Sequence, residues 1–366
     1  MQKKIPFLDL KEQYLSIKDE ITDSVLSVLE ETAFTFGPFV NSFEENFAKY
    51  LSAENIVGVS NGTDALHLCM RALGIKEGDE VILPANTFIA TAWGVCHVGA
   101  TPVFVDCDSK TWNIDATAIE ERITSRTKAV IGVHLYGQPF DVASVKKICE
   151  KHNLFLIEDC AQAHGAVYHG KSAGTMGDMA AFSFYPGKNL GAYGEAGAVA
   201  SANKNYTDKV RMLINQGQSK KYYHDVIGYN MRMDGVQAAV LNVKLKYLSA
   251  WTARRNKIAK MYLEGIKNEK LVFQQLLENT YSVYHLFVVT APDRDDLMQY
   301  LNQRNIFPGI HYPVPIHLQK AFVNLNYGRG DFPNTEILSA HCLSLPIYPE
   351  LKDDEVEYII DQLNHY

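Results

Sequence analysis

The chain has 366 residues, 47% apolar and 21% charged, enough to bury the cores of about two ordinary domains. Its 42 acidic and 35 basic residues leave a net charge of -7, so it carries no basic footprint for nucleic acid or an anionic membrane, and small molecules are the expected partners. The six cysteines form no CxxC pair, which argues against a disulfide scaffold and a zinc site. No apolar stretch approaches the length of a membrane span of about 18 residues, so a soluble, cytoplasmic protein is expected.

Short apolar runs recur along the first half: "NIVGVS" near Val57, "EVILP" near Ile82, "TPVFVD" near Phe104, "AVIGVHLYG" near Val133, "LFLIEDC" near Leu156, "AAFSFYP" near Phe182 and "GAVAS" near Val199. Helix-like stretches such as "GTDALHLCMRALGI" and "DVASVKKICEKHN" separate most of them. That alternation predicts a mostly parallel sheet with helices on both faces. From Asp234 the spacing predicts one long helix ending near Gly265. Beyond it, "YSVYHLFVVTAP" reads as a strand, "DRDDLMQYLNQRNI" as a helix with an acidic start, and "DDEVEYIIDQLNHY" as a final helix. The expected organisation is a large domain over residues 1–251 and a smaller α+β domain over 252–366.

The stretch "FSFYPGKNLGAYGEAGA" sets Lys188 between an aromatic run and a series of glycines. A P-loop would need a glycine at Phe182 and a hydroxyl at Asn189, and Gly191, Gly194 and Gly197 have the wrong spacing for a dinucleotide fingerprint. A lysine can instead form a Schiff base with pyridoxal phosphate, if other groups hold the phosphate and a carboxylate faces the ring nitrogen. Asp159 ends the run "LFLIED", at the strand end where open α/β sheets bind ligands; an ordinary strand-end cap is the alternative. In "SNGTDALHL", Gly62 and Thr63 open an amphipathic helix whose free N–H groups would attract an anion, and Ser183 could add a hydroxyl. Taken singly, each of these is unremarkable. Together they point to a phosphate-bearing cofactor.

The motifs "NGTDAL", "PANTFIATA", "VHLYGQ", "EDCAQAHGA", "FSFYPGKNLGAYGEAGA", "GYNMRMDGVQAAVL" and "HYPVPIHLQ" occur in this order. The sequence that carries them resembles the DegT/DnrJ/EryC1/StrS family of sugar aminotransferases over nearly its whole length. The resemblance implies the aspartate-aminotransferase-like fold of pyridoxal-phosphate enzymes (fold type I) and a homodimer with shared active sites. It implies Lys188 as the Schiff-base lysine, Asp159 as partner of the pyridine nitrogen and Gln162 beside the ring hydroxyl. Gly62, Thr63 and Ser183 would hold the phosphate, with Asn230 reaching it from the neighbouring subunit and Phe88 stacking on the cofactor face. No metal is implied.

Tyr185, where relatives acting on 4-keto sugars tend to have histidine, makes the chain look like the group acting on 3-keto sugars. The implied reaction passes an amino group from glutamate to carbon 3 of a dTDP-linked 3-keto-6-deoxyhexose, with UDP-linked or 4-keto sugars as the alternative. Arg232 could meet the glutamate carboxylate bidentately or pair with Asp234 at a helix start. Tyr185, His311, Tyr312 and His317 are candidates for the sugar pocket, since hydroxyls and imidazoles match sugar oxygens. For lone histidines such as His317 and His164 a packing or capping role competes. A branch with histidine in place of the lysine and a non-catalytic regulator on the same fold are the rival classes, and neither would need Lys188 and Asp159 together. Glu195 stands where many relatives carry aspartate.

Overall fold

The computed structural model describes residues 4–366; residues 1–3 of the expected large domain lie outside the described residues. Seven strands form the main sheet: β1 (Asn55–Val59), β2 (Glu80–Pro84), β3 (Thr101–Val105), β4 (Thr127–Val133), β5 (Phe155–Asp159), β6 (Met179–Ser183) and β7 (Gly197–Ser201). Their order is β1-β7-β6-β5-β4-β2-β3. Only β7 runs against its neighbours, pairing antiparallel with both β1 and β6, while β6, β5, β4, β2 and β3 are parallel. The sheet is therefore mixed and mostly parallel, as the alternation of apolar runs and helices predicts.

Both faces of the sheet are covered, and the strand period of two decides which residue goes where. Val57, Leu83, Ile131 and Ile157 enter one core, whereas their neighbours Ile82, Val130 and Leu156 enter another on the opposite face, continued by Ile56, Phe182 and Ala198. This two-sided burial explains why the strands read as continuous apolar runs. No helix among the described residues is long and apolar enough to cross a membrane.

The long helix expected from Asp234 is two helices, Gly235–Leu245 and Leu248–Gly265. At the break, the N–H groups of Lys246 and Tyr247 donate three residues back, to Val243 and Lys244, instead of four. The expected boundary at 251/252 thus falls inside a continuous helix. The C-terminal part has its own three-stranded antiparallel sheet of β8 (Val272–Phe273), β9 (Phe287–Thr290) and β10 (Cys342–Leu345), in that order. Its core joins Ile258 and Tyr262 to Leu297, Leu343 and Ile359. Ile5, from the start of the chain, is buried in the same core and is clamped by backbone bonds to Asn305 and Phe307.

The segment "YSVYHLFVVTAP", expected as one strand, is broken in the middle. Thr280–Tyr281 pairs with Val167–Tyr168 beside the main sheet, whereas β9 belongs to the C-terminal sheet. Tyr284, between them, adopts a left-handed φ of 42°, which a continuous strand cannot contain.

Candidate active site

Parallel strands in register end together, and here that lines up the chemistry. Val133 at the end of β4 pairs with Asp159 at the end of β5, and Asp159 with Ala181 two residues before the end of β6. The segments leaving these carboxyl ends, together with those leaving β1 and β2, enclose one cavity of about 950 Å³, the expected ligand position of an open α/β sheet. Gly62, Thr63, Phe88, Asp159, Gln162, Ser183, Tyr185, Lys188, His311 and Tyr312 all line it.

One end of the cavity is an anion cradle. Asn61 caps the Gly62–Leu73 helix, its Oδ1 accepting the Asp64 N–H at 2.8 Å while its carbonyl takes the Ala65 N–H. The N–H groups of Gly62 and Thr63 are left for a ligand at the positive end of the helix. The walls here have no spare room. A Cβ on Gly62 would stand 2.5 Å from the Ser183 Cβ, and one on Gly197 would stand 2.5 Å from the Asn61 carbonyl, so both positions require glycine.

Asp159 also lines the cavity, 5% exposed. Its Oδ2 accepts the Thr91 hydroxyl at 2.8 Å and its Oδ1 the Ala161 N–H at 3.1 Å. Thr91 is in turn 3.0 Å from the Thr87 hydroxyl. Burial raises the Asp159 pKa above the usual carboxylate value, and the Ala161, Thr91 and Lys188 interactions oppose this only in part. A buried carboxylate so under-compensated suits a cationic partner. Lys188, partly buried on the loop after β6, has its pKa lowered to about 8 by burial, against the pull of Asp159. It can therefore lose its proton near neutral pH.

Gln162 is fixed by two bonds: its Oε1 accepts the Tyr136 N–H at 2.6 Å and its Nε2 donates to the Tyr312 hydroxyl at 3.1 Å. Tyr136, left-handed at φ 63°, donates its hydroxyl to the His311 carbonyl at 2.6 Å. His311 is stacked on Phe7, with ring centroids 5.3 Å apart, and bonds Ser344 Oγ through Nδ1 at 2.9 Å. Burial and Lys188 lower its pKa to about 4, so it is neutral. Phe88 is half exposed at the wall, 5.5 Å from the Tyr312 ring.

Three expected residues lie elsewhere. His317 is 2% exposed, bonded to Glu336 at 3.2 Å and packed on Phe332, and it does not line the cavity. Arg232 donates to Asn215 Oδ1 at 3.2 Å and covers the Phe36 ring, and no bond to Asp234 occurs among the described residues. Asn230 is exposed and pairs with Asn215 in an isolated bridge, outside the cavity of its own chain. His164 is buried among Phe47, Phe182 and Phe184, a packing residue.

Thr87, Thr91, Tyr136, His285, Glu195 and Phe7 belong to the site but were not singled out by the sequence, except Glu195, which was given no role. The i,i+4 hydroxyls of Thr87 and Thr91 in "NTFIATA" were the one available signal. His134, Glu158 and Cys160 bring potential metal ligands together, but Glu158 already accepts N–H bonds from Gly174, Met176 and Gly177 and a bond to His134 Nε2 at 2.9 Å. It is a hydrogen-bonded hub on β5, one residue before Asp159.

The donor set fits pyridoxal phosphate: an N–H and hydroxyl cradle for the phosphate, a carboxylate for the ring nitrogen, a flat aromatic wall and an amine between them. A transaminase for dTDP-3-amino-3,6-dideoxy-alpha-D-galactopyranose from Aneurinibacillus thermoaerophilus is 46% identical over 362 residues, covering 99% of each chain. A "pleiotropic regulatory protein" of Geobacillus stearothermophilus is 41% identical over 365 residues, 99% of this chain and 98% of that one. The crystal structure of S. venezuelae DesV in complex with a ketimine intermediate superposes with a TM-score of 0.98 at 40% identity, over 100% of this chain and 98% of that one. The model of the DegT/DnrJ/EryC1/StrS aminotransferase family matches residues 15–364, and the chain belongs to that family.

Proposed function

We propose that this chain is a pyridoxal-phosphate-dependent aminotransferase that moves an amino group from glutamate to carbon 3 of a dTDP-linked 3-keto-6-deoxyhexose, giving a dTDP-3-amino-3,6-dideoxyhexose. The observation that carries the reading is the convergence of Lys188, Asp159 and the Gly62–Thr63 cradle on one cavity. The cofactor supplies an electron sink for the carbon that loses or gains a proton. Asp159 holds a proton on the ring nitrogen by pairing with it in a dry setting. Lys188 would anchor the cofactor and, as a neutral amine, would serve as the base that moves the substrate proton. Gln162, clamped by Tyr136 and Tyr312, orients the ring hydroxyl side, and Phe88 covers one face.

Tyr185, 55% exposed, lines the cavity with His311 and Tyr312, and in this reading the three would meet the sugar. Asn230 and Arg232 act in this reading from a second subunit, Asn230 on the phosphate and Arg232 on the glutamate carboxylate. Exposed apolar side chains beside them, Tyr222 at 80% and Ile227 at 86%, favour such a homodimer. The six cysteines are all free, in keeping with a reducing, cytoplasmic setting. A regulatory role, suggested by the name of one relative, leaves the Lys188–Asp159 pair without a purpose.

The test is product analysis: enzyme, glutamate and a dTDP-3-keto-6-deoxyhexose should yield an amine at carbon 3 by NMR. Amination only of a 4-keto or UDP-linked sugar would move the substrate assignment, and amination of none would overturn the reading.

A further inference from the structure

His285 lines the same cavity as Lys188 and has no part in the reaction described above. It sits where the chain crosses from Thr280–Tyr281 to β9, and this crossing is fixed from several sides. The Val283 N–H donates to the Gly137 carbonyl at 3.0 Å and the Leu286 N–H to the Tyr136 carbonyl at 3.2 Å. Buried Arg255 donates through Nη1 to the carbonyls of Tyr284, His285 and Ile347, at 3.2, 3.3 and 2.7 Å. The histidine backbone therefore has one position.

Its ring has one protonation pattern as well. Asn189, the neighbour of Lys188, donates through Nδ2 to the Val283 carbonyl at 3.0 Å. A carbonyl only accepts, so the amide nitrogen must face Val283 and the amide oxygen must face His285, 3.1 Å from Nδ1. That oxygen also only accepts, so Nδ1 carries the proton. Burial, and then the charges of Lys188 and Arg255, hold the imidazole well below its ordinary pKa, which keeps Nε2 unprotonated. The Asn189 bond is the only one to the ring among the described residues. Partly exposed through the cavity, His285 thus presents a lone pair to whatever binds there.

We infer that His285 is a sugar-recognising residue: its Nε2 accepts a hydrogen bond from a hydroxyl of the keto sugar, and Asn189 is the positioning residue that fixes the tautomer. The inference rests on the nucleotide-sugar reading of the site. An acceptor with no proton to give favours a substrate with a hydroxyl at that point over one with a keto group or a bare carbon, because each of these leaves Nε2 unpaired.

Two measurements on the full-length, cofactor-loaded protein test it. In ¹⁵N-histidine NMR, the resonance lost in His285→Gln should be a neutral Nδ1–H imidazole that does not titrate near neutral pH; an imidazolium or an Nε2–H tautomer would overturn the inference. In calorimetry with dTDP and with dTDP-3-amino-3,6-dideoxygalactose, His285→Ala should bind the sugar nucleotide about tenfold more weakly. His285→Gln, whose amide oxygen can take the place of Nε2, should recover most of that loss. Equal affinity in wild type and both variants would overturn the role of His285. A wild type that binds the sugar nucleotide no better than dTDP would instead overturn the nucleotide-sugar reading itself.

Discussion

Replacing Asp159 by Asn should stabilise the protein without cofactor while abolishing most of its activity. The carboxylate is buried, and burial raises its pKa despite bonds from Thr91 and Ala161. An amide fits the same network: Oδ1 still accepts the Ala161 N–H, and the new NH₂ can donate to Thr91, whose hydroxyl then turns to Thr87, 3.0 Å away. What is removed is an incompletely compensated burial of charge, on the order of 1–3 kcal/mol for a buried polar group. With an unfolding entropy of about 2.1 cal/mol/K per residue over 366 residues, each kcal/mol moves Tm by about 1.3 °C. The apo variant should therefore melt about 1–4 °C higher than wild type at pH 8.

The pH dependence has a definite sign. The folded chain holds the Asp159 proton more tightly than the unfolded chain, so its destabilising effect is complete above the folded pKa and disappears as pH falls through that value. The gain in Tm should shrink on acidification. With cofactor loaded, the variant cannot pair with a cationic ring nitrogen, and transamination should fall at least about a hundredfold. Calorimetric melting of the apo forms and steady-state kinetics of the loaded ones read both effects. An apo variant melting at or below wild type at pH 8, or a rate within tenfold of wild type, would refute the argument.

Gly62→Ala drives a methyl to 2.5 Å from the Ser183 Cβ and 3.1 Å from its Cα. Overpacking costs about 1–3 kcal/mol, and here it widens the phosphate cradle, so pyridoxal phosphate should dissociate about 10- to 100-fold more readily by equilibrium dialysis. Unchanged affinity would remove the cradle from the phosphate site. Glu158→Gln turns an amide NH₂ toward N–H donors in the hub and should destabilise the fold by about 3–5 kcal/mol in chemical denaturation. Burial raises the Glu158 pKa, but the His134 bond and the backbone donors outweigh it, so the net value is lowered. Its contribution is therefore present above the unfolded value of 4.5 and fades as pH falls through the folded one. A wild-type-minus-variant difference that grows in acid would contradict this role.

The groups legible in the sequence are those whose position follows from the local chain. Asp159 and Ser183 end parallel strands, Gly62 opens a helix, and Lys188 follows a strand on a glycine loop; strand register alone brings them to one edge. The residues that hold them in place were hidden, because their partners are distant in sequence: Thr91 meets Asp159, Gln162 meets Tyr136 and Tyr312, and Phe7 covers His311. His285 was read as a strand residue, since nothing local announces that its segment leaves one sheet for another. His317 reads as polar and available, but Glu336, which hydrogen-bonds its buried ring, lies 19 positions along the chain. The helix break at Lys246–Tyr247 is hidden for a related reason. Apolar periodicity reports burial, and it continues unchanged across a short turn.

The most direct test of the central claim is the visible absorbance of the purified, cofactor-loaded protein during a sequential single turnover. Glutamate should bleach the band of the lysine-linked cofactor, and a dTDP-3-keto-6-deoxyhexose should restore it, with neither change in Lys188→Ala. A wild-type band that ignores glutamate, or full bleaching and recovery in Lys188→Ala, would contradict an aminotransferase that works through Lys188.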